Sequence, residues 1–387
     1  MVIPDWIWFA FIFAFGCCIG SFLNVVIYRL PRDKSLIMPP SACPACGRGI
    51  QFYDNIPLVS WLLLGRKCRY CKASISVRYF VIELLTGLVF LILFILYFRL
   101  GFRSGLGSFL AGGWLVYLVF IAMLAALISA SAIDLELWLI PLSICWFATA
   151  VGLIGSAVGG YIIDPNAIRQ YGLLPSASAN TGSLAAGASI GLVLSWLLLA
   201  AGLIKESYES ADTPAAGEPA ESQESQSQPQ FNHRLEMFRE IIFLLPIIVC
   251  SLAAYWFVKK TPSIHSFWVD FLQYPVAAGL LGSLWGYFVG CGIVWATRIF
   301  GTLVFGKEAM GLGDMHLMGA AGTVIGPVFT VIAFFIAPFF GLAWAGIQMF
   351  SKKCRQIPYG PFLSLAILGV IILHDRIFSY LIFMVYH

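Results

Sequence analysis

At 387 residues, 60% of them apolar and only 11% charged, with a mean hydropathy of +0.88, the chain is too apolar for a water-soluble domain. Its net charge of +4 is too small to mark a nucleic-acid binder, and membrane lipid is the partner that the composition implies. Apolar stretches of about 20 residues recur along the chain, the length that a bilayer core about 30 Å thick demands of a helix. The short alternating segments of a membrane β-barrel are absent. The class is therefore an all-α polytopic membrane protein, with about 9–10 transmembrane or half-spanning helices.

The first run, residues 1–28, lacks a basic leader and a small-residue cleavage site, so it reads as a retained transmembrane helix. Gly16, Gly20 and Ser21 lie one turn apart on it and offer a close-packing face. Residues 29–78 form the one substantial polar domain, with nine Lys/Arg against Asp33 and Asp54. That bias places it in the cytoplasm and the N-terminus outside.

Further runs follow at about 79–100, 112–133, 138–160 and 184–204, the last four passages before an acidic linker. Residues 161–183, rich in Gly, Ser, Asn and Pro, read as an outer loop with little structure of its own. Residues 205–239, with Glu206, Glu209, Asp212, Glu218 and Glu221 before a Ser/Gln run, read as a disordered cytoplasmic linker. A last block, 240–387, holds runs at 240–258, 275–300, a short 314–326, 328–350 and 362–386. Lys352, Lys353 and Arg355 support a cytoplasmic loop before the final run. No internal repeat stands out.

Of ten cysteines, four form Cys43-x2-Cys46 and Cys68-x2-Cys71, with 21 residues between the pairs. Two such knuckles present four thiolates tetrahedrally to one Zn²⁺, and four thiolates leave no open position for chemistry, so the site reads as structural. A cytoplasmic location argues against disulfides.

Two acids stand out against the apolar background. Asp134 falls at the cytoplasmic end of one run, and Asp314 falls at the same depth after the glycine-rich stretch Gly311-Leu312-Gly313. A shared depth is the precondition for a carboxylate pair that shares one proton and activates water. Gly311 and Gly313 would allow a substrate strand to approach closely and the backbone to hinge. Helix capping by each Asp is the structural alternative, and an ion-coupled transporter using both as a proton relay is the functional one. His316 reads as a partner for a carboxylate.

Taken together, these motifs resemble the bacterial type IV prepilin peptidases, the leader peptidase/N-methyltransferases of the GxGD membrane aspartic proteases. The resemblance rests on Gly20-Ser21-Phe22-Leu23-Asn24, on Asn55-Ile56-Pro57 between the CxxC pairs, and on Glu83-Leu84-Leu85-Thr86-Gly87. It also rests on Asp134 with Ile140-Pro141, on Met310-Gly311-Leu312-Gly313-Asp314, and on Pro358-Tyr359-Gly360-Pro361. Leu142, Ala309, His316 and Arg66 stand where the family usually has Asp, Gly, Lys and Gly.

The resemblance implies that Asp134 and Asp314 cleave the leader from prepilins or pseudopilins at the cytoplasmic face of the bacterial inner membrane. It further implies methylation of the new N-terminus from S-adenosyl-methionine, in the cysteine-bearing domain. The products would feed type IV pili or type II secretion. The helices near 184–204 and 240–258 read as additions to the usual eight, without an assigned role.

Overall fold

The computed structural model describes residues 4–204, 233–350 and 358–386. Over these residues the chain is helical, with two isolated β-bridges and no strand. The helices are α1 (Asp5–Arg29), the short α2 (Val59–Leu63), α3 (Val77–Phe98), α4 (Gly113–Leu137), α5 (Leu142–Ile162) and α6 (Pro165–Tyr171). They continue as α7 (Ala179–Ala200), α8 (His233–Lys260), α9 (Pro262–Phe271), α10 (Pro275–Phe305), α11 (Leu312–Ile325), α12 (Pro327–Phe350) and α13 (Gly360–Tyr386).

Among the described residues, nine of these helices are long and apolar enough to cross a membrane. α11 is the short passage expected near 314–326. Its 14 residues span about 21 Å, less than a bilayer core of about 30 Å. The multi-pass all-helical expectation is met.

The bundle is built around α4, where Val116, Met123, Ala130 and Ile133 are fully buried. Close helix crossings are made by small residues, as lipid-embedded packing favours. On α1, a Cβ at Gly16 would meet Gly87 Cα at 2.8 Å, and one at Gly20 would meet Glu83 Cα at 2.7 Å. The small face read on α1 is thus the face that packs on α3. Between α10 and α11, Gly286 and Gly322 pack backbone to backbone.

Two boundaries differ from the sequence reading. Residues 161–183 are structured rather than loose: α6 lies there, Leu173 and Leu174 are buried, and Arg103 bridges the Gly172 carbonyl at 2.6 Å and Asp375 at 3.2 Å. Gly, Pro and Ser signal turns, but here they serve tight turns that are packed against the bundle. The eighth helix starts at His233 rather than near 240, so the last residues given to the linker are helical. The rest of that linker, with the basic residues Lys352, Lys353 and Arg355, lies outside the described residues.

Candidate active site and metal centre

The last turn of α4 carries Asp134, only 6% exposed. Its Oδ2 accepts the Gly360 N–H at 3.0 Å, at the start of α13. One turn earlier, Ser131 and Ser364 join the same two helices at 2.8 Å. A helix N-terminus presents N–H groups that favour an anion, which is why a carboxylate is held there. Trp138, at φ +57°, ends α4 with its N–H on the Asp134 carbonyl at 3.0 Å.

Asp314 occupies the first turn of α11, three residues after Gly311, the residue that caps the helix. This is the position of the acid in a capping box. The charge of Asp134 acts on Asp314, so the structure brings the two acids into one neighbourhood although 180 positions separate them in sequence. Each acid also stands at a capping position, so the capping alternative and the paired arrangement coincide.

Ile140, 6% exposed, is wedged between the two segments. A Cβ on Gly313 would fall 2.8 Å from Ile140 Cβ, and a Cβ on Gly360 would fall 3.0 Å from Ile140 Cδ1 and 2.5 Å from Asp134 Oδ2. Gly313 and Gly360 are therefore glycines because their neighbours leave no room for a side chain. Gly311 differs. Its backbone is ordinary extended chain, and an added Cβ would make only ordinary contact, 3.6 Å from Asp314 Oδ2.

The residues around the pair include some that the sequence did not single out for a role. Tyr359 lies within reach of the Asp314 charge. Burial, with that charge second, pushes its hydroxyl up to about 12, which keeps it a neutral donor. His316 pairs its Nδ1 with the Tyr287 hydroxyl at 3.0 Å and stacks near Trp146, so its partner is a phenol and not the expected carboxylate. Gly360 and Tyr359 stood in a motif, but nothing in a linear pattern ties them to Asp134.

At the same end of the bundle, Cys43, Cys46, Cys68 and Cys71 are free thiols whose Sγ atoms all lie within 4.8 Å of one another. Cys43 and Cys71 approach to 3.7 Å. A tetrahedral ion with Zn–S bonds of about 2.3 Å needs S···S edges of about 3.8 Å, so the set fits a metal ion. The backbone N–H groups of Cys71 and Tyr70 favour the thiolate of Cys68 and draw its thiol down to about 6.

The two knuckles repeat each other 25 residues apart, Cys43 recurring as Cys68 and Cys46 as Cys71. Cys43 N–H bonds Arg48 O at 2.9 Å as Cys68 N–H bonds Ala73 O at 2.8 Å. Likewise Ile50 N–H bonds Ser41 O at 2.8 Å as Ile75 N–H bonds Arg66 O at 2.7 Å. This is an internal repeat that the sequence reading missed, because only the two cysteines and the isoleucine coincide. Gly47 at φ +69° is matched by Lys72 at φ +59°.

The segment between the knuckles is anchored to the bundle. Leu58 sits at φ +60°, ψ −51° in a γ-turn closed by Val59 N–H on Pro57 O at 2.6 Å. Such a backbone costs a leucine of the order of 1–3 kcal/mol. The buried Glu83 holds it, with Oε2 accepting the Leu58 N–H at 2.8 Å. Arg78 reaches Glu136, two residues past Asp134, with 2.6 and 2.7 Å bonds.

Fold and site together define a multi-pass helical membrane protein with a buried acid, Asp134, a half-buried one, Asp314, and a four-thiol centre. The bacterial peptidase A24 N-terminal domain matches residues 14–97, and the type IV leader peptidase family matches residues 242–346. Over these two stretches the chain is similar to the type IV leader peptidase family. The first contains the four cysteines and the second contains Asp314, while Asp134 lies between them. The second match begins inside α8, so most of a helix read as an addition falls within it.

Among curated relatives, a prepilin leader peptidase/N-methyltransferase of Myxococcus xanthus is 40% identical over 161 residues, 41% of this chain and 42% of its own length. Proteins of the same name from Aeromonas salmonicida and Neisseria gonorrhoeae are 32% and 33% identical. Their matches cover 41% and 48% of this chain and 58% and 62% of their own lengths. The chain thus spans about half the length of these relatives. No solved structure matches it.

Proposed function

We propose that the protein is a membrane aspartic endopeptidase that removes the leader from type IV prepilins or pseudopilins at the cytoplasmic face. The observation that carries this reading is the meeting of the two acid-bearing segments, Asp134 held by the Gly360 N–H and Asp314 next to Gly313, which packs on the same Ile140 as Gly360. One carboxylate takes a proton from a water molecule as the water oxygen attacks the scissile carbonyl. The other, protonated, gives its proton to the carbonyl oxygen, forming a neutral tetrahedral diol. Collapse breaks the C–N bond as the proton gained from water passes to the departing amine and a diol hydroxyl returns its proton to the second carboxylate, leaving a carboxylic acid. The open ground beside Gly311 gives the substrate strand its approach, while Gly313 keeps Asp314 seated against Ile140.

The four cysteines hold Zn²⁺ as a structural ion, and S-adenosyl-methionine supplies a methyl group for the freed amino terminus. A cavity of about 390 Å³ between α1 and the cysteine domain, with Ser21, Arg29, Ser41 and Asn55 on its walls, is the place we assign to that donor. The names of the relatives support both activities; the same reading puts the protein in the bacterial inner membrane and its products in pili or type II secretion. The names lend no support to an ion-coupled carrier.

The test is single substitution, Asp134→Asn and Asp314→Asn, in membranes supplied with a prepilin. Each should lower cleavage by roughly 10³-fold or more. Cleavage at the parent rate by either variant overturns the reading.

A further inference from the structure

One buried cluster at the site end takes no part in the hydrolysis proposed for the two acids. Arg298, near the end of α10, is 1% exposed. Its NH1 donates to the Met310 carbonyl at 3.0 Å and meets Glu308 Oε1 at 2.9 Å, and its NH2 meets Glu240 Oε1 on α8 at 3.2 Å. Glu240 is 4% exposed, and its other oxygen accepts the Trp295 indole N–H at 2.6 Å. A buried charge is tolerated only when it is paired and hydrogen-bonded, and both ends of this pair are.

The Met310 carbonyl and the Gly311 N–H belong to one peptide unit. Peptide units are planar, so whatever fixes the oxygen also fixes the direction of the N–H on the opposite edge. That unit lies against the Asp314 carboxylate, since a Cβ on Gly311 would stand 3.6 Å from its Oδ2. A guanidinium on the oxygen also polarises the unit and strengthens its donor edge.

We propose that Glu240 and Arg298 are positioning residues, which orient Asp314 through the peptide between Met310 and Gly311. The inference rests on the reading of Asp314 as half of the catalytic pair. It gives α8 a part in the site, since Glu240 on that helix holds the guanidinium. Glu308, half-exposed, is the dispensable member, because solvent screens its share of the pair.

The experiment uses the full chain in proteoliposomes with a prepilin, comparing Arg298→Gln, Arg298→Lys, Glu240→Gln and Glu308→Gln with Asp314→Asn. A misplacement of an ångström costs up to about 10²-fold in rate. Arg298→Gln should lower kcat roughly 10- to 100-fold with KM within about twofold, and Glu240→Gln about tenfold. Arg298→Lys, which keeps one donor, should recover part of the loss, and Glu308→Gln should stay within about threefold.

Metal content of the four-cysteine centre, and methylation of an already cleaved pilin, should stay at parent values throughout. Parent kcat in Arg298→Gln and Glu240→Gln, alongside an inactive Asp314→Asn, overturns the positioning role and leaves the peptidase reading intact. Parent cleavage by Asp314→Asn overturns the peptidase reading itself. A loss confined to KM, or shared equally by methylation and metal content, also overturns the positioning role. Should Arg298→Gln fail to accumulate, Glu240→Gln decides alone, with kcat within about twofold of the parent as the overturning result.

Discussion

Gly360 donates its N–H to Asp134 Oδ2 at 3.0 Å, and there is no room for a methyl group between them, since an added Cβ would lie 2.5 Å from that oxygen. The first turn of α13 is therefore shaped around one carboxylate on α4. Gly360→Ala should push Asp134 off its donor and lower cleavage at least about tenfold. Metal bound by the four cysteines, measured in the same preparation, should not change.

Gly311 and Gly313 should separate under the same substitution. Gly313→Ala forces a contact of 2.8 Å with Ile140 Cβ, and overpacking of this kind costs about 1–3 kcal/mol. Its thermal midpoint in detergent and its kcat should both fall. Gly311→Ala adds only an ordinary contact, so its thermal midpoint should match the parent. A rise in KM for the prepilin is the expected effect, because the open ground beside Asp314 is filled.

Much of this architecture was legible in the sequence, for a simple reason. A helix in lipid must satisfy its own backbone and show an apolar surface, so α1, α3, α4 and α10 announce themselves by hydropathy. The four thiols and the two acids were legible because each residue type is rare in its setting. The partners of Asp134 were not, because Gly360 lies 226 residues away and a backbone N–H has no sequence signature. The start of α8 was hidden as well. Glu236, inside the stretch given to the linker, and Glu240, at the first position of the run that follows it, are both buried, one paired with Arg239 and the other with Arg298.

Tyr359 offers a test on the pH axis. Its hydroxyl, pushed up to about 12 by burial and then by the Asp314 charge, stays protonated across the working range. Tyr359→Phe should lower kcat several-fold, as expected for loss of one hydrogen-bond donor worth about 1 kcal/mol. The shape of the pH–rate curve between about pH 5 and 9 should be retained. An alkaline limb that vanished in the variant would show that the phenol itself titrates there.

The Arg78–Glu136 pair sits two residues from Asp134, but its side chains are 25% and 38% exposed. Pairs in contact with solvent contribute about 0–1 kcal/mol. Glu136→Gln should therefore shift stability by no more than that, measured by thermal unfolding in detergent at low and moderate salt. Cleavage should stay within about threefold of the parent.

The 25-residue echo between the knuckles means that each half brings two of the four thiols. Neither half holds a tetrahedral ion alone, so binding fastens the two ends of the 21 intervening residues to one point. In polymer terms the ion is a cross-link that removes the loop-closure entropy of that segment. The strained turn at Leu58 lies inside it, facing Glu83. Stripping the metal with a chelator should release that turn first, seen as faster amide exchange at Leu58 and Val59. Cleavage, seated on α4 and α11, should outlast methylation.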